Sequence, residues 1–257
     1  KLSALDLGAR LAWSFDAADR DLPDVVAIGG RVVAIAMRFA VGLDADALGF
    51  VIGFGRADVG TGPCRAAMNP FEPTRKAALA SLDQFLPRAG GRYEVQRNYD
   101  FGPDRRDNIS MLSPYIRHRL LSEQQVVAAT LGVHSPMVAE KFVQEVFWRT
   151  YWKGWLQQRP TVWQQYLTDL EYQTSRKIYG LDAAYNGETG IECFDEWVTE
   201  LRTTGYLHNH ARMWFASIWI FTLRLPWQVG ADFFLRHLFD GDPAANTLSW
   251  RWVAGLQ

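Results

Sequence analysis

From Thr74 to the end of the chain, apolar residues recur at three- and four-residue intervals between short loops. No stretch settles into the two-residue alternation of a half-buried strand. That periodicity confines this part of the chain to packed helices, read at roughly 74–86, 114–131, 136–158, 160–179, 192–204, 208–224 and 228–239. No internal repeat is visible, which excludes a solenoid. Upstream, the apolar segment 25–37 is interrupted by Gly29-Gly30 and suits either a hairpin or a buried helix broken by glycines. A glycine-rich passage over 53–62, then Pro63, Asn69-Pro70 and Glu72-Pro73, places a boundary within 63–73. The expected fold is mainly α. An N-terminal extension over 1–70, with room for a small β element, precedes a helical domain over 71–257.

The 27 Lys and Arg residues against 28 Asp and Glu give a net charge of −1, which excludes a polybasic nucleic-acid tail as the basis of function. With 48% hydrophobic and 21% charged residues the chain can bury a sizeable core. Cys64 and Cys193 belong to no CxxC or Cys/His cluster, so no metal site is expected and a reducing, cytoplasmic setting fits. The longest apolar runs, 25–37 and 48–54, are too short or too charge-flanked to span a bilayer. The chain opens without a charged-then-apolar leader, so any targeting peptide is expected to be absent or to have been removed.

Eleven Trp, nine Tyr and fifteen Phe make the aromatic share 14%, and most of the Trp lie after residue 140. Such density suits a helical core filled with large side chains, or a site that stacks flat conjugated rings. Four constellations bear on that choice. Glu145, Trp148, Arg149 and Trp152 fall on one stripe of a helix that Ser135-Pro136 would open, where an aliphatic face is the norm. An ordinary Glu145–Arg149 pair beside half-buried indoles is the plainer reading. Asn209, Arg212 and Met213 share a face of a second helix, while His208 and His210 are two apart and cannot both ligate a metal from it. In Asp240-Gly-Asp-Pro-Ala-Ala-Asn246, Asp242 reads as an N-cap with Pro243 in the first helical position, which leaves Asp240 and Asn246 unexplained. Ser113 would cap a helix starting at Pro114, where Ser110, Ser113 and free backbone N–H groups could seat a phosphate.

Taken in order, Tyr93-Glu-Val-Gln-Arg97, Ser110-Met-Leu-Ser-Pro-Tyr115, Glu145-Val-Phe-Trp-Arg149, Thr204-Gly-Tyr-Leu-His-Asn-His-Ala-Arg-Met213, Asp240-Gly-Asp-Pro-Ala-Ala-Asn246 and Trp250-Arg-Trp252 resemble the FAD-binding domain of the photolyase and cryptochrome family. The likeness covers about 75–257. It implies a helical domain that holds FAD in a folded conformation. Tyr93, Ser110, Leu112 and Ser113 would be phosphate-side contacts, Arg149 a cation of the diphosphate side or cavity wall, and Asn209, Arg212, Asp240, Asp242 and Asn246 the flavin-ring contacts. An asparagine at position 246, near the flavin N5, resembles the repair branch rather than photoreceptors. Asn209 and Met213, where six-four enzymes place histidines, point to the cyclobutane pyrimidine dimer. Glu145 would hydrogen-bond a pyrimidine edge, Trp148 and Trp252 would wall the dimer, and Met213 would pack against it. Trp250 and Trp227 resemble members of the family's electron-transfer chain, with Trp163, Trp197, Trp214 and Trp219 all open as its distal member.

The partner implied is DNA containing pyrimidine dimers, with Arg105, Arg106, Arg117, Arg119, Arg149, Lys153 and Arg251 as candidate phosphate contacts. Only about 70 residues precede the matched region and no βαβ series fits them, so no antenna chromophore is expected, and the protein is expected to be a monomer. Met111 stands where relatives often carry a basic residue. A blue-light photoreceptor without repair activity is the alternative that the same resemblance allows.

Overall fold

The computed structural model describes residues 71–256, so the expected N-terminal extension over 1–70, with its room for a small β element, lies outside the described residues. Within them the chain is helical, with no extended strand. The helices are α1 (Arg75–Phe85), α2 (Gly91–Gln96), α3 (Ser113–Arg117), α4 (Glu123–Val133), α5 (Glu140–Gln157), α6 (Pro160–Thr174), α7 (Leu181–Asn186), α8 (Glu192–Thr204), α9 (Asn209–Ser217), α10 (Trp227–His237) and α11 (Pro243–Val253). Thr74 caps α1 by accepting from the Ala77 amide, and Ser122 and Gln125 close a reciprocal capping box on α4.

Several elements depart from the periodicity. The helix expected over 114–131 is two helices, because Arg119 adopts a left-handed conformation (φ 60°) and the Leu120 amide donates back to Tyr115 O at 2.9 Å. That closure normally announces itself with glycine. Ser135-Pro136 does not start α5: it forms a turn, with Val138 and Ala139 amides bonded to Ser135 O, and Ala139 occupies the cap of α5 without a side-chain bond. Ser113 does not cap α3 either, since Leu112 holds that place. The helix expected to reach 179 ends at Thr174, whose hydroxyl bonds back to Leu170 O, and two short helices, α2 and α7, were not foreseen. The run expected over 208–224 is α-helical only to Ser217 and continues as a π-helical turn, Ile218–Thr222.

Two apolar cores result. The first gathers α1–α4 and the start of α5 around Phe71, Leu82, Phe85, Tyr115 and Phe142. The second gathers α6–α11 around Trp152, Phe194, Phe215, Trp219, Phe234 and Trp250. α5 belongs to both, giving Phe142 and Val146 to the first and Trp152 and Leu156 to the second. Two glycines allow close packing, one against each core. At Gly205, the left-handed C-cap of α8 (φ 65°), a Cβ would fall 2.4 Å from the Phe239 ring, so only glycine fits. At Gly230 in α10 a Cβ would lie 2.4 Å from Trp250 and 2.8 Å from the Trp219 indole nitrogen.

Candidate functional site: a buried polar seam between two cores

Between the two apolar cores runs a seam of buried polar side chains. Its ion pairs join elements far apart in sequence. Arg212 on α9 meets Asp240 at 3.0 Å, and the Ser113 hydroxyl at the start of α3 donates to the same carboxylate. Asp240 is fully buried. Desolvating a charge of this kind is costly unless it is paired and hydrogen-bonded, and here it is both. Ser113, read from sequence as a cap, instead ties α3 to the Asp240 turn. The unexplained Asp240 thus has its partners.

One turn on, Asp242 does what the sequence suggested. Its Oδ1 accepts from the Ala244 and Ala245 amides and caps α11. Its Oδ2 also lies 3.2 Å from Arg149 and 3.1 Å from Lys153. Burial would raise the Asp242 carboxyl, but Arg149, Lys153 and the capped amide outweigh it and hold the group below its ordinary 3.8. Arg149 is buried between Asp242 and Glu123, the latter at 3.5 Å from Nε.

The stripe on α5 therefore does not form the ordinary internal pair. Arg149 turns toward α4 and α11. Glu145 turns the other way and pairs with Arg97, at the end of α2, at 2.7 Å. Glu145 is buried, and desolvation, offset by Arg97 and Lys141, pushes its carboxyl up to about 8. Trp148 stacks on Trp152 (5.9 Å, 22°), and Trp148, Met213 and Trp252 all pack half-buried against the edge of the second core. Asn209 is the first, half-buried residue of α9. Tyr93 lies deeper than a surface contact, its ring edge-on to Phe85 and Phe142. Ser110 and Leu112 flank Met111, which holds a left-handed backbone (φ 54°), a conformation that costs a bulky residue about 1–2 kcal/mol and that recurs at functional sites.

The cations expected to meet DNA phosphate have partners within the molecule, although Arg105 and Arg119 remain exposed. Arg106 pairs with Glu200 and Asp100, Arg117 donates to Gly241 O, Arg119 pairs with Glu123, and Arg149 and Lys153 serve Asp242. Arg105 lies over the Phe101 ring, and Arg251 donates to Leu256 O. Sequence periodicity gave no sign of the partners of Arg106, Arg117, Arg149 and Lys153, because each comes from a different element. It also missed Arg97 and Glu123 as partners of the α5 stripe. Trp250 meets Phe234, Trp219 and Phe215, whereas Trp227 meets Tyr166, so the two tryptophans expected in one chain have separate ring neighbours.

The buried atoms that lack a hydrogen-bond partner among the described residues include Asn246 Oδ1, Asp240 Oδ1 and Arg149 Nη1. Asn246 is oriented by its other end, where Nδ2 donates to Ala231 O at 2.7 Å. Buried polar groups are rarely left unpaired, so two acceptors and a guanidinium donor along one seam call for a ligand with N–H groups at one end and anionic groups at the other. A flavin dinucleotide has both.

Comparison with known proteins decides the matter. The family described as the FAD-binding domain of DNA photolyase matches residues 142–257. This region belongs to that family. A deoxyribodipyrimidine photo-lyase of Thermus thermophilus is 34% identical over 191 residues, covering 72% of this chain and 43% of the relative. A class III photolyase from Agrobacterium tumefaciens superposes with a TM-score of 0.63 at 28% identity, over 76% of this chain and 41% of that one. A cryptochrome from Synechocystis shares the fold, with a TM-score of 0.60 at 23% identity, over 78% of this chain and 42% of its own. The chain spans about two-fifths of the length of the curated relatives that it matches. FAD is the cofactor of the family, and the seam's unpaired atoms suit it.

Proposed function

We propose that the photolyase-type domain repairs cyclobutane pyrimidine dimers in DNA under blue light. The observation that carries this reading is Asn246: fully buried, fixed through Nδ2, and one turn into the helix that Asp242 caps, with Oδ1 lacking a partner among the described residues. Arg149 and Lys153 would hold the diphosphate side of FAD, with Ser110, Ser113 and the Leu112 backbone nearby. Asn209, Arg212, Asp240, Asp242 and Asn246 would hold the ring. Reduced FAD supplies, on absorbing light, the single electron that opens the cyclobutane ring and is then returned, so there is no net redox change. The protein supplies position and dryness. A dimer flipped from the duplex, at a cost of a few kcal/mol that is least for a distorted pair, would lie against Trp148, Met213 and Trp252, with Glu145 at a pyrimidine edge. No side chain is asked to act as a nucleophile.

Thymine absorbance of a dimer-containing oligonucleotide should recover in blue light and not in the dark. Replacing Glu145 by Gln or Trp148 by Ala should slow recovery while the visible flavin bands persist. Loss of flavin in either variant would make those residues structural.

A blue-light signalling protein is the second reading, and one observation favours it. Trp250 lies against Trp219 (6.2 Å), and Trp219 against half-buried Tyr185 (5.9 Å), so aromatic rings lead from α11 through the second core to a half-buried position. Light-driven change of the flavin spectrum without thymine recovery would select this reading over repair.

A further inference from the structure

Glu145 extends from α5 into the seam, and the cation that meets it comes from outside that helix. Arg97 Nη1 lies 2.7 Å from Oε1, across 48 residues of sequence, and both side chains are almost wholly buried. Arg97 is the C-cap of α2, and its amide donates to Tyr93 O at 2.8 Å, so the backbone that carries the guanidinium is fixed. The other groups acting on Glu145 are the Tyr93 phenol, also from α2, and Lys141 on its own helix. The charged groups that α4 and α11 direct at α5, Glu123 and Asp242, meet Arg149 one turn further on.

A carboxyl group so placed has two chemistries. Ionised, it can only accept hydrogen bonds; protonated, it can also donate one. A thymine edge presents an N3–H donor flanked by carbonyl acceptors, so each form of Glu145 would engage a different atom of the same base. Burial favours the neutral form and the guanidinium favours the ionised one. We propose that Arg97 is the positioning residue that selects which form Glu145 offers to a pyrimidine edge, and thereby the pH at which lesion recognition changes character. This rests on the placement of Glu145 against the dimer proposed above.

The test is dark binding of the full chain, loaded with FAD, to fluorescent oligonucleotides with and without a thymine dimer, followed by anisotropy from pH 6 to 9.5. For the unsubstituted protein the ratio of the two affinities should change roughly tenfold through an inflection on the basic side of neutrality, as one charge-assisted hydrogen bond replaces a neutral one. Arg97→Gln should move that inflection upward by about one pH unit or more, since an opposite charge at this distance lowers a carboxyl by about that much. Arg97→Lys should restore most of the position, and Glu145→Gln should remove the inflection. The carboxyl titration is also read directly by infrared spectroscopy with isotope-labelled glutamate, comparing Arg97→Gln with the unsubstituted protein and using Glu145→Gln to identify the band.

An unmoved carboxyl midpoint in Arg97→Gln overturns the proposal. So does an inflection that survives in Glu145→Gln. If no preference for the dimer appears at any pH, the dimer-repair reading fails instead, while the infrared midpoint still decides whether Arg97 sets the state of Glu145.

Discussion

Removing the Asp242 carboxylate has two separable consequences, since one oxygen caps α11 and the other faces two cations. Asp242→Asn keeps an acceptor for the Ala244 and Ala245 amides, asparagine being as good an N-cap as aspartate, and removes only the charge. Arg149, with a side chain 1% exposed, is then left buried with Glu123 at 3.5 Å as its one remaining ion-pair partner among the described residues. Breaking a buried pair costs about 3–5 kcal/mol, and the surviving Glu123 contact places this case near ~3 kcal/mol. Lys153 is a third exposed, so its share is screened and falls within a few tenths to about 1 kcal/mol. Arginine does not titrate near neutrality, so its burial cost appears as lost stability rather than lost charge. Asp242→Ala adds the lost cap, about 1 kcal/mol, for roughly 4 kcal/mol in all. Urea unfolding followed by helical circular dichroism at pH 7 measures both variants. The acid limb supplies a second check. Asp242 titrates below its ordinary value in the folded protein, so its contribution is present above the unfolded value of 3.8 and is lost as pH falls through the folded one. The unsubstituted protein should therefore approach Asp242→Asn in stability below about pH 4. An Asp242→Asn variant within about 0.5 kcal/mol of the parent at pH 7 would refute the reasoning.

Other outcomes follow from the same structure. Gly230→Ala forces a Cβ to within 2.4 Å of Trp250 and should cost about 1–3 kcal/mol net of the alanine's better helix propensity, with a changed near-UV spectrum; parental stability would mean that the rings can move apart. Burial, helped by Arg106 and Arg212, lowers His208 to about 3, so the unfolded chain takes up its proton first and stability should fall as pH drops below about 6.5, by at most ~1.4 kcal/mol per pH unit; His208→Asn, still able to cap α9, should flatten that slope in urea midpoints. Asn246→Asp places a carboxylate on the seam and should lower the midpoint potential of bound flavin in a spectroelectrochemical titration; an unchanged potential would remove Asn246 from the ring.

Much of the scaffold could be read from the chain. Helical periodicity gave α1, α8 and α10 nearly to their ends, and the Asp242-Pro243 start of α11 was legible because cap and proline are local signals. The break after α3 was not, since Arg119 closes it without glycine, and neither was the π-helical turn that carries Trp219. The candidate site was legible as a set of residue types. Its wiring was not: Glu145 and Arg149 are one turn apart on α5, yet the first pairs with Arg97 and the second with Asp242 and Glu123.

By itself the sequence determined that the chain from Thr74 onward is mainly helical, that Asp242-Pro243 starts α11, and which uncommon polar residues stand on otherwise apolar faces, because those properties depend on spacing within a few residues. Only the tertiary structure decided which partner each charge takes, which cations are free for the surface, and which rings touch. Those choices rest on distances between elements tens of residues apart. Burial then multiplies the consequence, since a carboxylate that would be unremarkable in water must, in the seam between two cores, find its counter-charge or change its protonation.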